Sequence, residues 1–386
     1  MHPTRFTNLP DARARFGDRV DRLGPYLLQV DEPADAVVRR IAAMPAGRGW
    51  ALFTEAAARG VANVADAPDE MRALFAETER VPPWVDWQTL DRGGRVLMRA
   101  GLLGGLVLGL SSLPHGYASP GGNKPLVFSG RMKDQAVRRL NETARFVQAV
   151  CRPDGMRPGA DGYQITLRVR LMHAQVRHML LTSGKWDTGA WGEPINQHDM
   201  AATTLLFSMV LLDGLRKLGA RVTTEDSEAY MQLWRYTGLL MGVDPTILPT
   251  GEAEGRRLAD LIRATTAPAD HDGRALTRSL LTSPLAHARS PRERAVLERR
   301  VEFTKAVCRE LLGDELADQL GVERTRWRLT VPILKRVIAA AERIRDSVPG
   351  AERTALATGT RYWDRVVEVG LAGATAEFRL PERLAA

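Results

Sequence analysis

Residues 164–181 read QITLRVRLMHAQVRHMLL, and Ile165, Leu167, Val169, Met172, Val176, Met179 and Leu180 fall mostly at helical spacing. On such a helix Arg170, His173 and Arg177 stand three and four apart and share a face. Two cations beside an imidazole are costly, because they disfavour the imidazolium and repel each other. The arrangement makes sense where something anionic lies against that face and takes a neutral imidazole nitrogen as ligand. A haem answers that description, with iron for the histidine and two propionates for the arginines. The other reading is a hydrogen-bonded histidine at the edge of a core with two solvated arginines. This helix alone leaves both open.

Outward from it, a chain of 386 residues is long enough for one large domain or two ordinary ones. Hydrophobic residues make up 44%, an ordinary globular share, and alternating Val/Ile/Thr runs are rare, so the composition favours an all-α protein. The net charge of +8 permits nucleic acid or anionic lipid as a partner. There is no block of consecutive basic residues and no basic tail, so no nucleic-acid partner is expected. Cys151 and Cys308 lie outside any CxxC pair, which rules out zinc and thioredoxin-type motifs. Their neighbours Val150 and Val307 point to two buried thiols rather than one disulfide.

The first residues, MHPTRFTNLPDARARFGDRV, show neither an apolar signal core nor a twin-arginine pattern. A cytoplasmic location is therefore expected, or a secreted one for a trimmed mature form. Residues 101–113, GLLGGLVLGLSSL, are too short to span a bilayer, which takes about 20 residues. Their small side chains suggest a helix packed closely inside the protein, and no transmembrane segment is expected.

In chain order, residues 1–30 read as a loosely organised arm leading into a helix at 31–44, which PAGRG at 45–49 breaks. Helices follow at 50–59 and 69–80; Pro82 and Pro83 stop the second, and Trp84 and Trp87 pin the next helix start to the core. Residues 114–131 form a long irregular segment, apolar at Leu126, Val127 and Phe128, and so fit a cover over a ligand or cleft. His115 within it is a second candidate metal ligand. A helix is expected at 132–151, another at 197–218 with Asn196 as its cap, and another at 225–242 capped by Thr223. Thr203, Thr204 and Ser208 either bond their own backbone or face a pocket. Helices recur near 252–265, 273–282, 291–312, 330–346 and 361–369, and 372–386 reads as surface tail. No repeat or linker divides the chain, so one domain over 1–386 is expected, with its core at about 31–346.

The helix at 132–151 places Arg139 and Thr143 one turn apart. R-x-x-x-T followed by R-x-x-H-x-x-x-R resembles the latex-clearing proteins, the haem-b rubber oxygenases, as do the tracts VRLMHAQVRHML, WGEPINQHDMAAT and AYMQLWRYTGLLMGVDP. The resemblance runs from about residue 12 to at least 263, and the broader family includes fungal oxygenases that cleave a meroterpenoid prenyl side chain. It implies a single large multi-helix, globin-reminiscent domain enclosing a haem b pocket. His173 would be the proximal iron ligand, with Arg139, Thr143, Arg170 and Arg177 around the haem. The activity implied is that of a haem-dependent dioxygenase, using O2 to cleave a C=C bond in a small or polymeric apolar isoprenoid. A monomer is expected.

Two positions depart from the family. The best-known rubber oxygenases carry a distal lysine just before the motif threonine and an upstream glutamate proposed as base. Ungapped counting places Glu142 and Asn123 there. Glutamate reverses the charge and asparagine cannot act as a base, which counts against rubber itself as substrate. Glu142 and Thr143 remain the expected catalytic positions, Glu142 as a distal acid–base group or, on the plainer reading, a helix-surface carboxylate. The alternative to an oxygenase is a non-enzymatic haem or hydrophobic-ligand binding protein on the same scaffold. His178 lies off the ligand face, His198 reads as surface, and the paired Glu-x-x-His motifs of a carboxylate-bridged di-metal centre are absent.

Overall fold

The computed structural model describes residues 2–128 and 136–371. The described residues form a single all-α domain with no strand beyond one isolated bridge, Phe6 to Thr266. Its axis is the helix Trp87–Val107, which passes through a π-helical turn, Leu108–Ser112, into Leu113–Tyr117. Asp86 starts it, its side chain accepting from the Thr89 amide at 2.9 Å. Trp84 and Trp87 both stand edge-on to Tyr236 and so fasten this start to the core.

By length and composition the 31-residue stretch Trp87–Tyr117 could cross a membrane, so the apolar run at 101–113 is only part of a longer element than the sequence suggested. Half of its most apolar part is buried inside the protein. A Cβ on Gly93 would strike the Ala229 carbonyl, one on Gly94 the Cys151 carbonyl, and one on Gly105 would come within 2.6 Å of the Tyr362 hydroxyl. Gly101 is bent to φ +48, a backbone region that favours glycine, and faces Gly359. The small residues are what let three neighbouring segments approach this helix.

The central helix is Asp161–Thr182, four residues longer than the stretch quoted first. It runs antiparallel to Ala136–Val150, and the two are fixed at one crossing. A Cβ on Gly162 would come within 2.7 Å of both the Ala149 and Gly155 carbonyl oxygens. From there His173 is eleven residues on along one helix and Arg139 ten residues back along the other. The two halves of the motif thus lie on two helices that pack against each other. Glu32–Ala42 packs on the other side of the central helix.

Both ends of the chain carry more structure than the sequence suggested. Residues 1–30 contain helices Leu9–Phe16 and Arg19–Leu23, and Ala12, Val20, Leu23 and Leu27 bury themselves in a second apolar cluster with Met200 and Val243. Beyond residue 346, Ala351–Leu371 is a full helix laid along Trp87–Val107, with Trp363 buried and its indole N–H donating to the Leu97 carbonyl at 3.2 Å. The core therefore reaches past both expected limits. The supposed tail at 372–386 lies outside the described residues.

The helix expected at 197–218 breaks at Ser208, giving Gln197–Phe207 and Met209–Lys217. The Ser112 hydroxyl takes the Leu206 carbonyl at 2.7 Å and the Tyr230 hydroxyl takes that of Phe207 at 2.9 Å, so remote side chains occupy acceptors at the break. Residues 114–117 continue the long helix, and Lys124–Phe128 is a short helix rather than irregular cover. Cys151 and Cys308 are both free and buried.

Candidate functional site

The anions against the Arg170–His173–Arg177 face are the protein's own. Arg170 makes a bidentate pair with Asp31, Nε to Oδ2 at 2.7 Å and Nη2 to Oδ1 at 2.9 Å, and reaches Glu77 at 3.3 Å. Arg177 pairs with Asp35 and donates to the Pro194 and Ile195 carbonyls at 3.0 and 2.9 Å. Asp31 caps Glu32–Ala42 and Asp35 lies one turn in, so a single helix presents both carboxylates. Both guanidiniums are buried. These arginines are not solvated: they fasten the central helix to its neighbours.

The family-like tracts close around this network. Gly242, at φ +85, sits where any Cβ would overlap the Asp31 carboxylate. Gln197 donates to the Gly242 carbonyl at 3.0 Å and accepts from the Asp244 amide at 2.8 Å. Asn196 caps its helix through the Asp199 amide at 2.9 Å, as its position in the sequence indicated. Sequence reasoning missed Asp31, Asp35, Gln197 and Gly242. The only local hint was the acidic cluster Asp31, Glu32 and Asp35 at the start of that helix.

His173 is different from its two arginines. Its Nδ1 is buried without a hydrogen-bond partner. Burial first, and then the Arg177 guanidinium, pushes the imidazole down to about 4 against the weaker pull of Asp31. The ring is therefore neutral at physiological pH and keeps a lone pair to give. Among the described residues no group of three or more His, Cys, Asp or Glu is gathered to hold a metal. A site offering one neutral protein ligand suits iron whose other ligands come from a porphyrin.

On the facing helix Glu142 is buried, so it is not a surface carboxylate; Phe146, one turn on, packs against Phe207 and Trp234. Thr143 is half-buried. Arg139 is placed in its helix, but its side chain lies outside the described residues. Asn123 is fully buried, donating to the Tyr117 carbonyl at 3.1 Å and to Asp270 at 3.0 Å, which makes it a structural residue. His115 is bound to the Ser111 carbonyl at 2.8 Å inside the π-helical turn. Thr203, Thr204 and Ser208 all bond their own backbone, at 2.8, 3.0 and 2.8 Å.

His198 is buried rather than exposed, its Nδ1 3.3 Å from Asp199. Burial pushes the Asp199 carboxyl up, but the Arg5 guanidinium and His198 more than offset this and hold it at about 2.

The catalytic-domain model of a family described as ER-bound oxygenase mpaB/B'/Rubber oxygenase matches residues 87–345. A rubber oxygenase from Streptomyces sp. (strain K30) is 28% identical over 283 residues, covering 71% of this chain but only 64% of the relative's own length. A latex-clearing protein solved in its closed state shares the fold, with a TM-score of 0.68 at 24% identity over 89% of this chain and 91% of that one. The Gln164–Leu181 face, its crossing with Ala136–Val150 and this match over most of the chain make the protein a member of the mpaB/rubber oxygenase family.

Proposed function

We propose that the protein is a b-type haem-dependent oxygenase that uses O2 to cleave a C=C bond in an apolar, isoprenoid-type substrate. The observation that carries the haem is His173, a half-buried neutral imidazole whose buried Nδ1 has no partner, at the family's motif position. When bound, haem would supply the oxygen chemistry. The chain's own part is to keep that imidazole neutral through burial and Arg177, and to hold its helix still through the Arg170–Asp31 and Arg177–Asp35 pairs. Arg139 and Thr143, one turn apart on the facing helix, are assigned to the haem's surroundings. Glu142, buried on that helix, is assigned as the acid–base group.

The departures at Glu142 and Asn123 favour a second reading, a haem or apolar-ligand carrier without turnover, because Asn123 is locked into structural hydrogen bonds. The test is the absorption spectrum of the protein reconstituted with hemin, with and without His173→Ala. A Soret band that shifts on reduction and on CO addition, and disappears in the variant, is expected. A protein that takes up no hemin would sink the oxygenase and the haem carrier alike and leave only an apolar-ligand carrier. Oxygen consumption with squalene as probe then separates them: turnover supports the oxygenase, and a haem protein without it supports the carrier.

A further inference from the structure

Val331–Ser347 is a helix with two apolar faces. One is packed: Val331 is buried, Leu334 and Ile338 lie against the core, and Gly219 lets the loop at 219–222 approach the Lys335 carbonyl. The other is turned to solvent. Leu329 just before it, Ile333, Val337, Ile344 and Val348 just after it are 71%, 59%, 60%, 60% and 50% exposed, with exposed Ala340 and Ala341 between them. Spacings of four and seven residues keep Ile333, Val337 and Ile344 in one stripe along the helix, with Leu329 and Val348 flanking its two ends.

The charges beside the stripe have one sign. Arg336 and Arg343 are exposed along its edge and pair with no described residue. The helix's two carboxylates are taken: Glu342 accepts from the Arg221 amide at 2.7 Å and pairs with Arg345, and Asp346 pairs with Arg221 and Arg345. An apolar stripe edged by free arginines, in a chain of net charge +8, is the pattern of a helix that lies in the plane of an anionic membrane surface. At these exposures the stripe offers on the order of 500 Å², the size of the largest patch on a monomer, which often serves a function. It falls short of the roughly 800 Å² that each partner gives to a standard protein interface.

We infer that the protein docks on anionic lipid through Leu329, Ile333, Val337, Ile344 and Val348, with Arg336 and Arg343 meeting the headgroups. This surface is separate from the residues assigned to the proposed haem site, and the inference stands whether or not the oxygenase reading does. The test is co-sedimentation of the full chain with phosphatidylcholine vesicles, with and without phosphatidylglycerol. Binding is expected only with phosphatidylglycerol, weakening severalfold at raised salt and in Arg336→Ser/Arg343→Ser. Val337→Asp/Ile344→Asp should lower it at least tenfold while circular dichroism and the melting temperature stay unchanged, since both side chains are exposed. A full chain that stays in the supernatant overturns the inference. So does a Val337→Asp/Ile344→Asp variant that binds as tightly as the parent. A third overturning result is a parent dimer that this variant converts to monomer with no lipid binding by either, which would assign the stripe to a second copy.

Discussion

Asp31 shows how much of this site is decided by single residues far from the motif. It caps Glu32–Ala42 and at the same time neutralises Arg170, a guanidinium buried beyond the reach of bulk water. Asp31→Asn keeps the shape and removes the charge, leaving Arg170 with the half-exposed Glu77. The loss is expected to be roughly 3–5 kcal/mol, read as a lower urea midpoint at unchanged slope. His115 makes a second case. Burial pushes it from 6.5 down to about 4, with Arg263 and Lys217 adding to the shift while the Ser111 carbonyl and Asp213 oppose it. Between those two pH values the unfolded chain binds more protons than the folded one, so stability falls as pH drops through that window. The contribution is about 2 kcal/mol, less than the full shift because the ring keeps some contact with solvent. Melting at pH 7 and pH 4.5 should show a smaller drop for His115→Gln than for the parent; equal drops would assign the acid sensitivity to other groups. The arginine–histidine face was legible because its spacing is local. Its counter-charges were not, because Asp31 and Asp35 stand 139 and 142 residues away from the arginines they neutralise.

At the scale of elements the same division holds. The caps at Asn196 and Thr223 are local chemistry, and both side chains accept the expected amides at 2.9 and 3.1 Å. The break at Ser208 has no signature in its own tract, because Ser112 and Tyr230 supply the hydroxyls around it. The glycines of the long helix were visible as small residues, but what they receive was not. The sharpest contact is Gly359 of Ala351–Leu371, where an added Cβ would overlap the Met98 carbonyl opposite Gly101. Both partners are backbone, so no side chain can swing aside. Gly359→Ala should push the two helices apart and lower stability by roughly 3 kcal/mol or more, against the few tenths to 1 kcal/mol gained by replacing glycine in an unconstrained helix. A variant that melts at or above the parent temperature would mean the helices do not meet there.

For the whole molecule, the last helix decides whether the residues assigned to the proposed haem site have a scaffold at all. Ala351–Leu371 holds Ala136–Val150, the helix of Arg139, Glu142 and Thr143. Asn141 donates to the Gly370 carbonyl at 2.7 Å, and Gln148 and Arg152 both reach Asp364. It also holds Trp87–Val107 through Trp363 and through Glu352, which takes Arg99 at 3.1 Å. The sequence read weakly here because this helix is assembled from small and polar residues whose partners are all distant; only Trp363 and Tyr362 stand out. A chain ending at residue 347 would expose the glycine face of an apolar helix and leave Ala136–Val150 without one of its walls. It should therefore aggregate or melt far below the parent. Trp363→Ala, a milder version of the same loss, should cost roughly 3–5 kcal/mol. Hydrogen exchange would give the mechanism: in the Trp363 variant the amides of Ala136–Val150 should lose protection before those of Asp161–Thr182, because the central helix keeps its own anchors in Asp31 and Asp35. Equal loss in both helices would mean that the two fold and unfold as one unit, with the last helix bracing the pair rather than one member of it.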